Sequence, residues 1–198
     1  MPVGVLLAAG LGTRYDPSGN VFKLLQPAPD GIPIVVAAAR NLRSAVERVV
    51  AVVRPRGESH QSQLHDLLRQ EHCELAVCER ASEGIGVSLA CGVRASEDAD
   101  GWIVALGDMP QIGPATIAAV ARALADGHTA AAPVYRGQRG HPVGFASRCL
   151  EDLLHSAGDQ GARSVLEKFP PQLIEVDDPG ILVDIDQPLR DEVNDDRR

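Results

Sequence analysis

Aromatic residues make up only 3% of this 198-residue chain. Large rings therefore cannot carry the core, and Val, Leu, Ile and Ala must fill it; an apolar content of 44% is enough to do so. Such a core suits buried parallel strands alternating with Ala-rich helices. Positive charge is also scarce. Nineteen Lys and Arg against 27 Asp and Glu leave a net charge of −8 and a pI near 5.2. That excludes a general nucleic-acid binder and a binder of acidic membranes, because both need a basic footprint. The four cysteines, Cys73, Cys78, Cys91 and Cys149, form no CxxC pair and no zinc-finger spacing with histidine. Free thiols in a reducing compartment are expected. No stretch approaches the ~18–20 apolar residues of a membrane span, and the start MPVGVLLAAG has no basic segment before its short apolar run. A soluble, cytoplasmic protein is the expectation.

The apolar run 3–9, ended by Gly10, predicts a strand covered on both faces. Residues 33–53 read as a helix followed by a strand at 48–53, residues 62–70 as a helix, 73–78 as a short strand and 87–94 as another helix. A second buried strand is predicted at 102–106 and a helix at 114–124, with Pro114 in its first turn. Strands follow at 130–135 and 143–145 around a Gly/Arg-rich turn, then short helices at 149–156 and 162–168. Late strands are expected at 173–176 and 182–185. This alternation predicts one α/β domain over 1–190, a doubly wound and mostly parallel sheet, followed by a charged, frayed tail at 191–198.

In such a sheet ligands bind beyond the carboxyl ends of the strands. Gly10-Leu11-Gly12-Thr13-Arg14 lies at that edge after the first strand. Glycines let backbone N–H groups approach an anion closely, and Arg14 and Lys23 add positive charge. A Walker A loop is absent. A dinucleotide fingerprint fails because Tyr15 stands where its third glycine belongs and no acid follows at the usual ~20-residue offset. A turn that binds nothing is the other reading.

Asp108, in Leu106-Gly107-Asp108-Met109-Pro110, follows a buried strand directly and reads as a site carboxylate, an Asx-turn or a cap. In Leu182-Val183-Asp184-Ile185-Asp186, alternation puts Asp184 and Asp186 on one side of the predicted strand, opposite Val183 and Ile185. Taken alone, that is equally a solvated edge. His141, in Arg139-Gly140-His141-Pro142, fits a structural histidine. Asp159 or Gly161 fits a cap for the helix from Ala162, and Ser88 fits a plain helix N-terminus.

Taken together these blocks resemble the MobA-like nucleotidyltransferases, most closely the molybdenum cofactor cytidylyltransferases. The resemblance rests on Leu7-Ala8-Ala9-Gly10-Leu11-Gly12-Thr13-Arg14 with Lys23-Leu24, Gly107-Asp108-Met109-Pro110, Asp186-Gln187-Pro188, Arg139-Gly140-His141-Pro142, Gly158-Asp159-Gln160-Gly161-Ala162-Arg163, and the approach to Ser88. It implies a Rossmann-like, GT-A-like fold in which the loop from Leu7 to Arg14, with Ser88, holds a nucleoside triphosphate. It further implies catalytic roles for Arg14, Lys23 and Asp108, and Mg²⁺ held by Asp108 and Asp186. Gly140, His141, Pro142, Asp159, Gly161 and Arg163 would line the acceptor site.

The Ala8-Ala9-Gly10 spelling points by resemblance to CTP, and the implied acceptor is the molybdopterin phosphate. A molybdoenzyme or its chaperone is the implied protein partner. Sugar- and polyol-phosphate transferases carry similar loops, and a catalytically silent nucleotide-binding or cofactor-delivery protein would keep the same fold. The family keeps about four residues between the arginine and the lysine, whereas this chain has eight, Tyr15 to Phe22. A turn through Asp16-Pro17-Ser18-Gly19-Asn20 is expected to let Lys23 reach back.

Overall fold

The computed structural model describes residues 1–10, 12, 15–16, 21–28, 30–57 and 59–186. Leu11, Thr13, Arg14 and the tail 191–198 lie outside them. The sheet is built from β1 (Val3–Leu7), β2 (Val49–Val53), β3 (Glu74–Val77), β4 (Gly101–Leu106), β5 (Ala130–Tyr135), β6 (Gln138–Arg139), β7 (Val143–Ala146) and β8 (Gln172–Glu175). The strand order is β3-β2-β1-β4-β7-β5-β6, with β8 on β5. β1 to β4 run parallel, β7 is antiparallel to both β4 and β5, and β8 is parallel to β5. β2 is buried along its whole length and β4 almost so, because each lies between two other strands and under helices on both faces.

The helices are α1 (Ile34–Arg43), α2 (Ser59–Gln70), α3 (Ile85–Arg94), α4 (Pro114–Ala125), α5 (Leu150–Leu154) and α6 (Arg163–Lys168). Alternate strand residues divide the core. Leu6, Ala51 and Ile103 pack with α1, α2 and α4 through Ile34, Leu42, Leu64 and Ile117. Val5, Val52 and Val104 pack with α3, α5 and α6 through Leu89, Val93, Leu153 and Val165. The sheet is thus doubly wound and mostly parallel, as the alternation predicts. Among the described residues no helix is long and apolar enough to cross a membrane.

The predicted strand at 182–185 is not formed. Pro179–Leu182 is a 3₁₀ turn and residues 183–186 have no regular structure. Asp178 caps the start of this turn and ties it to the start of α4, taking the N–H groups of Gly180 (3.0 Å) and Gly113 (2.8 Å) and the Thr116 hydroxyl (2.6 Å). Backbone groups beyond it bond to the site rather than to a strand. The His141 N–H donates to the Ile181 carbonyl (3.0 Å), and the Ile185 N–H donates to the Asp108 carbonyl (3.0 Å). The expected alternation fails with it: Ile185 is 5% exposed but Val183 38%. Asp184 and Asp186 come to the site from an irregular strap, not from one face of a strand.

Candidate active site

The chain leaves β1 for β2 on one side and returns to β4 on the other, so the carboxyl ends of β1 and β4 flank the point where the winding reverses. Open α/β sheets bind ligands in the crevice at such a point. Pairing of Leu7 with Leu106, and a bond from the Gly107 N–H to the Leu7 carbonyl (2.9 Å), set the β1 loop beside Asp108. Gly12 has φ +66°, a left-handed conformation that glycine adopts without strain. The N–H groups of Tyr15 and Asp16 both donate to its carbonyl.

The Asp16 carboxylate takes the Val21 N–H at 2.7 Å; residues 17–20 lie outside the described residues. Lys23 then returns to the loop's start, where a Cβ added to Gly12 would lie 3.4 Å from its Cβ. Lys23 opens a 3₁₀ turn (Lys23–Leu25) whose Leu24 is buried in the core, and that anchors the lysine. Its ammonium donates to Asp108 Oδ2 at 2.7 Å and to Asp186 Oδ1 at 3.1 Å.

Burial draws the Lys23 pKa down, but the bonds and charges of Asp108 and Asp186 outweigh it and hold it above 10.5. The stability that this pairing contributes is therefore whole below pH 10.5 and is lost only as pH climbs through the raised value. One nitrogen within hydrogen-bond reach of both carboxylates also shows that a single cation there meets both. Among the described residues, no set of three or more His, Cys, Asp or Glu side chains converges to hold a metal ion. Two carboxylates, with water and phosphate oxygens completing the shell, are what Mg²⁺ commonly takes, so these residues fit that ion.

Around this pair lies a pocket of about 440 Å³ lined by Gly10, Gly12, Lys23, Ser88, Asp108 and Asp186, among others. Leu7 and Ala9 line it too, while Ala8, 1% exposed, is buried beneath the turn. A second cavity of about 560 Å³ holds Gly140, His141, Asp159, Gly161 and Arg163. Its floor is apolar, from residues such as Leu89, Val104 and Phe145, and Arg139 joins Arg163 on its polar side. Pro142, joined to His141 by a cis peptide bond, does not line it. The two cavities share Leu7, Ile85, Leu106 and Asp159, so they adjoin at the end of β4.

Two local devices build that junction. β6 and β7 would be one strand beside β5 but for the interruption Gly140-His141-Pro142, which swings His141 into the second cavity. Burial lowers the His141 pKa, against the pull of Asp108, so the ring is neutral at pH 7, and among the described residues its Nδ1 has no hydrogen-bond partner. Gly84 and Gly86 let the Ala157–Gly158 backbone lie against the start of α3; a Cβ on Gly84 would sit 2.3 Å from the Gly158 carbonyl. This close approach brings Asp159 to the shared wall. Asp159 does not cap α6, whose N-cap is Ala162 with no side-chain bond.

A Cβ on Gly140 would lie 2.2 Å from the Ile181 carbonyl oxygen. Gly140→Ala is therefore expected to lower unfolding free energy by about 1–3 kcal/mol, measured by denaturant titration. It should also push away the strap that carries Asp186. Asp184, Arg139 and Arg54 also line the cavities. Arg54 had no signal in the sequence beyond its place directly after a Val-rich strand.

Comparison with known proteins follows the same lines. Purine catabolism protein PucB of Bacillus subtilis (strain 168) is 31% identical over 194 residues, 94% of this chain and 92% of that protein. The crystal structure of Rv0371c from Mycobacterium tuberculosis H37Rv shares the fold at TM-score 0.77 and 24% identity, covering 93% of this chain and 92% of that one. A nucleotidyl transferase from Methanothermobacter thermautotroptrophicus does so at TM-score 0.74 and 24% identity, covering 94% and 92%. The family model for the MobA-like NTP transferase domain matches residues 4–175. With that match across the sheet and most of the lining of both cavities, the chain belongs to the MobA-like NTP transferase family, and it is a nucleotidyltransferase by membership.

Proposed function

We propose that the protein transfers CMP from CTP to the phosphate of a molybdopterin-type acceptor in a Mg²⁺-dependent reaction that releases pyrophosphate. The observation that carries this is the convergence of Lys23, Asp108 and Asp186 at the switch point, between a nucleotide-sized pocket and a second cavity. The Gly10–Gly12 turn and Lys23 hold the triphosphate, joined by Arg14, which lies outside the described residues. His141, Arg139 and Arg163 hold the acceptor above its apolar floor and turn its phosphate toward the shared wall.

An acceptor phosphate oxygen attacks the α-phosphorus, a new P–O bond forms, and the bond to the β-phosphate breaks with pyrophosphate as leaving group. A divalent cation on Asp108 and Asp186 supplies charge neutralisation at the phosphates when bound. A manganese complex is recorded for the mycobacterial neighbour. The Ala8-Ala9-Gly10 spelling supports CTP, and a relative named for purine catabolism fits a cofactor-supplying role. The protein partner is then a molybdoenzyme or its chaperone.

The test incubates the protein with Mg²⁺, molybdopterin and each nucleoside triphosphate and measures pyrophosphate release. Release with CTP well above GTP is expected. Release with CTP only when a sugar or polyol phosphate replaces molybdopterin would move the acceptor to that class. No release under any pairing would leave a nucleotide-binding protein without turnover.

A further inference from the structure

Among the described residues six arginines have a carboxylate partner: Arg40 with Glu71, Arg48 with Glu74 and Asp98, Arg56 and Arg69 with Asp66, Arg80 with Glu83, and Arg163 with Glu167. Arg54 is half-buried, and among the described residues its guanidinium meets no carboxylate. Withdrawing a guanidinium from water without a counter-charge is unfavourable unless a ligand supplies acceptors. Arg54 also lines the nucleotide pocket.

Its position is tightly set. It follows β2 directly, and the parallel pairing of Leu7 with Val52 places it level with the start of the Gly-rich loop. Its Nε–H donates to the Ala9 carbonyl at 2.7 Å, which fixes the roll of the guanidinium plane. Its own carbonyl accepts from the ring Nε2 of His65 at 2.7 Å, and His65 is only 2% exposed. Side chain and backbone are thus clamped independently. With Nε engaged on the loop, the two Nη groups remain as a rigid, donor-only fork.

The surroundings indicate which part of a nucleotide would meet that fork. Asp108 lies at the end of β4 and Arg54 at the end of β2, with β1 between them, so about 10 Å of sheet edge separates the phosphate end from the arginine. That is the span of a ribose and base rather than of the α-phosphate. On this side the pocket is walled by small residues, Ala9, Ala81, Ser82 and Gly84, which leave room for a flat ring. On their Watson–Crick edges, only cytosine presents two adjacent acceptors, O2 and N3, with no donor between them. Uracil has an N–H at position 3 and guanine has donors at N1 and N2; guanine's own acceptor pair, O6 and N7, lies on the opposite edge of a larger ring. A base that turns its Watson–Crick edge to the fork therefore matches both donors only if it is cytosine, whereas uracil or guanine sets a donor against a donor.

We infer that Arg54 is the base-reading residue of the nucleotide pocket, its Nη fork taking O2 and N3 of cytosine while its Nε holds the loop through Ala9. This rests on the CTP reading above and adds the residue that enforces it. The same residue would couple the two tasks. A base seated on Arg54 holds the guanidinium in the plane that braces Ala9, and so holds the loop that meets the phosphates.

The test measures kcat/KM for CTP, UTP and GTP with one acceptor for wild type, Arg54→Lys and Arg54→Met, with melting temperature and circular dichroism for each. Wild type is expected to prefer CTP. Both variants are expected to lose about tenfold to a hundredfold with CTP and to change much less with UTP and GTP, so that the preference collapses. Arg54→Lys keeps the charge and loses the fork, and it should fall nearly as far as Arg54→Met. An equal loss with all three nucleotides, with wild type still preferring CTP, would overturn the inference and leave Arg54 as a phosphate contact or loop brace. A loss that Arg54→Lys fully restores would overturn the bidentate contact. A wild-type preference for another nucleotide would instead remove the CTP reading itself, and this inference with it.

Discussion

Asp108→Asn is expected to cut turnover by about 10³-fold while the protein keeps its fold. The side chain lies directly after β4 and is held by structure that the substitution spares: Asn has the same volume, and the backbone carbonyl of residue 108 still accepts from Ile185. The Lys23 ammonium keeps Asp186 as a partner at 3.1 Å. What disappears is one of the two negative charges that meet at a single point in the crevice. A divalent cation sharing two carboxylates with phosphate oxygens depends on that charge, and a neutral amide oxygen is a poor replacement. Turnover measured over a range of Mg²⁺ concentrations should show both a lower maximum and a higher half-saturating concentration. An unfolding curve that overlays wild type would confirm that the loss is chemical. Substantial activity in the variant would remove Asp108 from the metal site.

Lys23→Ala is expected to raise the KM for the triphosphate by about 10²-fold. The lysine is 7% exposed, sits beside Gly12 of the loop, and is the cation that the two carboxylates share. Its raised pKa keeps it charged through the whole range in which the enzyme can be assayed. The substitution removes a positive charge from the phosphate end and leaves Asp108 and Asp186 facing each other without it. Two effects should therefore appear together in one titration series. Nucleotide affinity falls, and the melting temperature without metal drops below wild type but recovers on adding Mg²⁺ by more than wild type gains. An unchanged nucleotide affinity would confine Lys23 to holding the carboxylates.

Much of the sheet was legible because its signals are local. Val49–Val53 and residues 102–106 are unbroken apolar runs, and such runs form buried parallel strands wherever helices can cover both faces. The Pro114 helix start and the glycine ending the first run were equally local. The loop and Asp108 stood out as site candidates for the same reason, since each follows its strand within three residues. The strand expected at 182–185 failed because alternation is only a local cue. Asp178, through Gly113, Thr116 and Gly180, commits the segment to a turn, and the partners of its backbone groups lie on Asp108 and His141. No neighbouring residue in the sequence announces those bonds.

By itself, then, the sequence determined the doubly wound architecture, the Gly-rich turn at the edge of the sheet and the acid after β4. Each follows from residues that are neighbours in the chain. Tertiary structure alone decided that Lys23, after an eight-residue excursion, returns to touch Asp108 and Asp186, 85 and 163 positions away. It also decided that Asp186 arrives on an irregular strap, that Gly84 and Gly86 admit the Asp159 loop to the boundary of two cavities, and that Arg54 lines the first of those cavities. The physical reason is the same in each case. Charge pairing and close backbone approach act through space, and their partners were set by which strand ends the parallel sheet brings side by side.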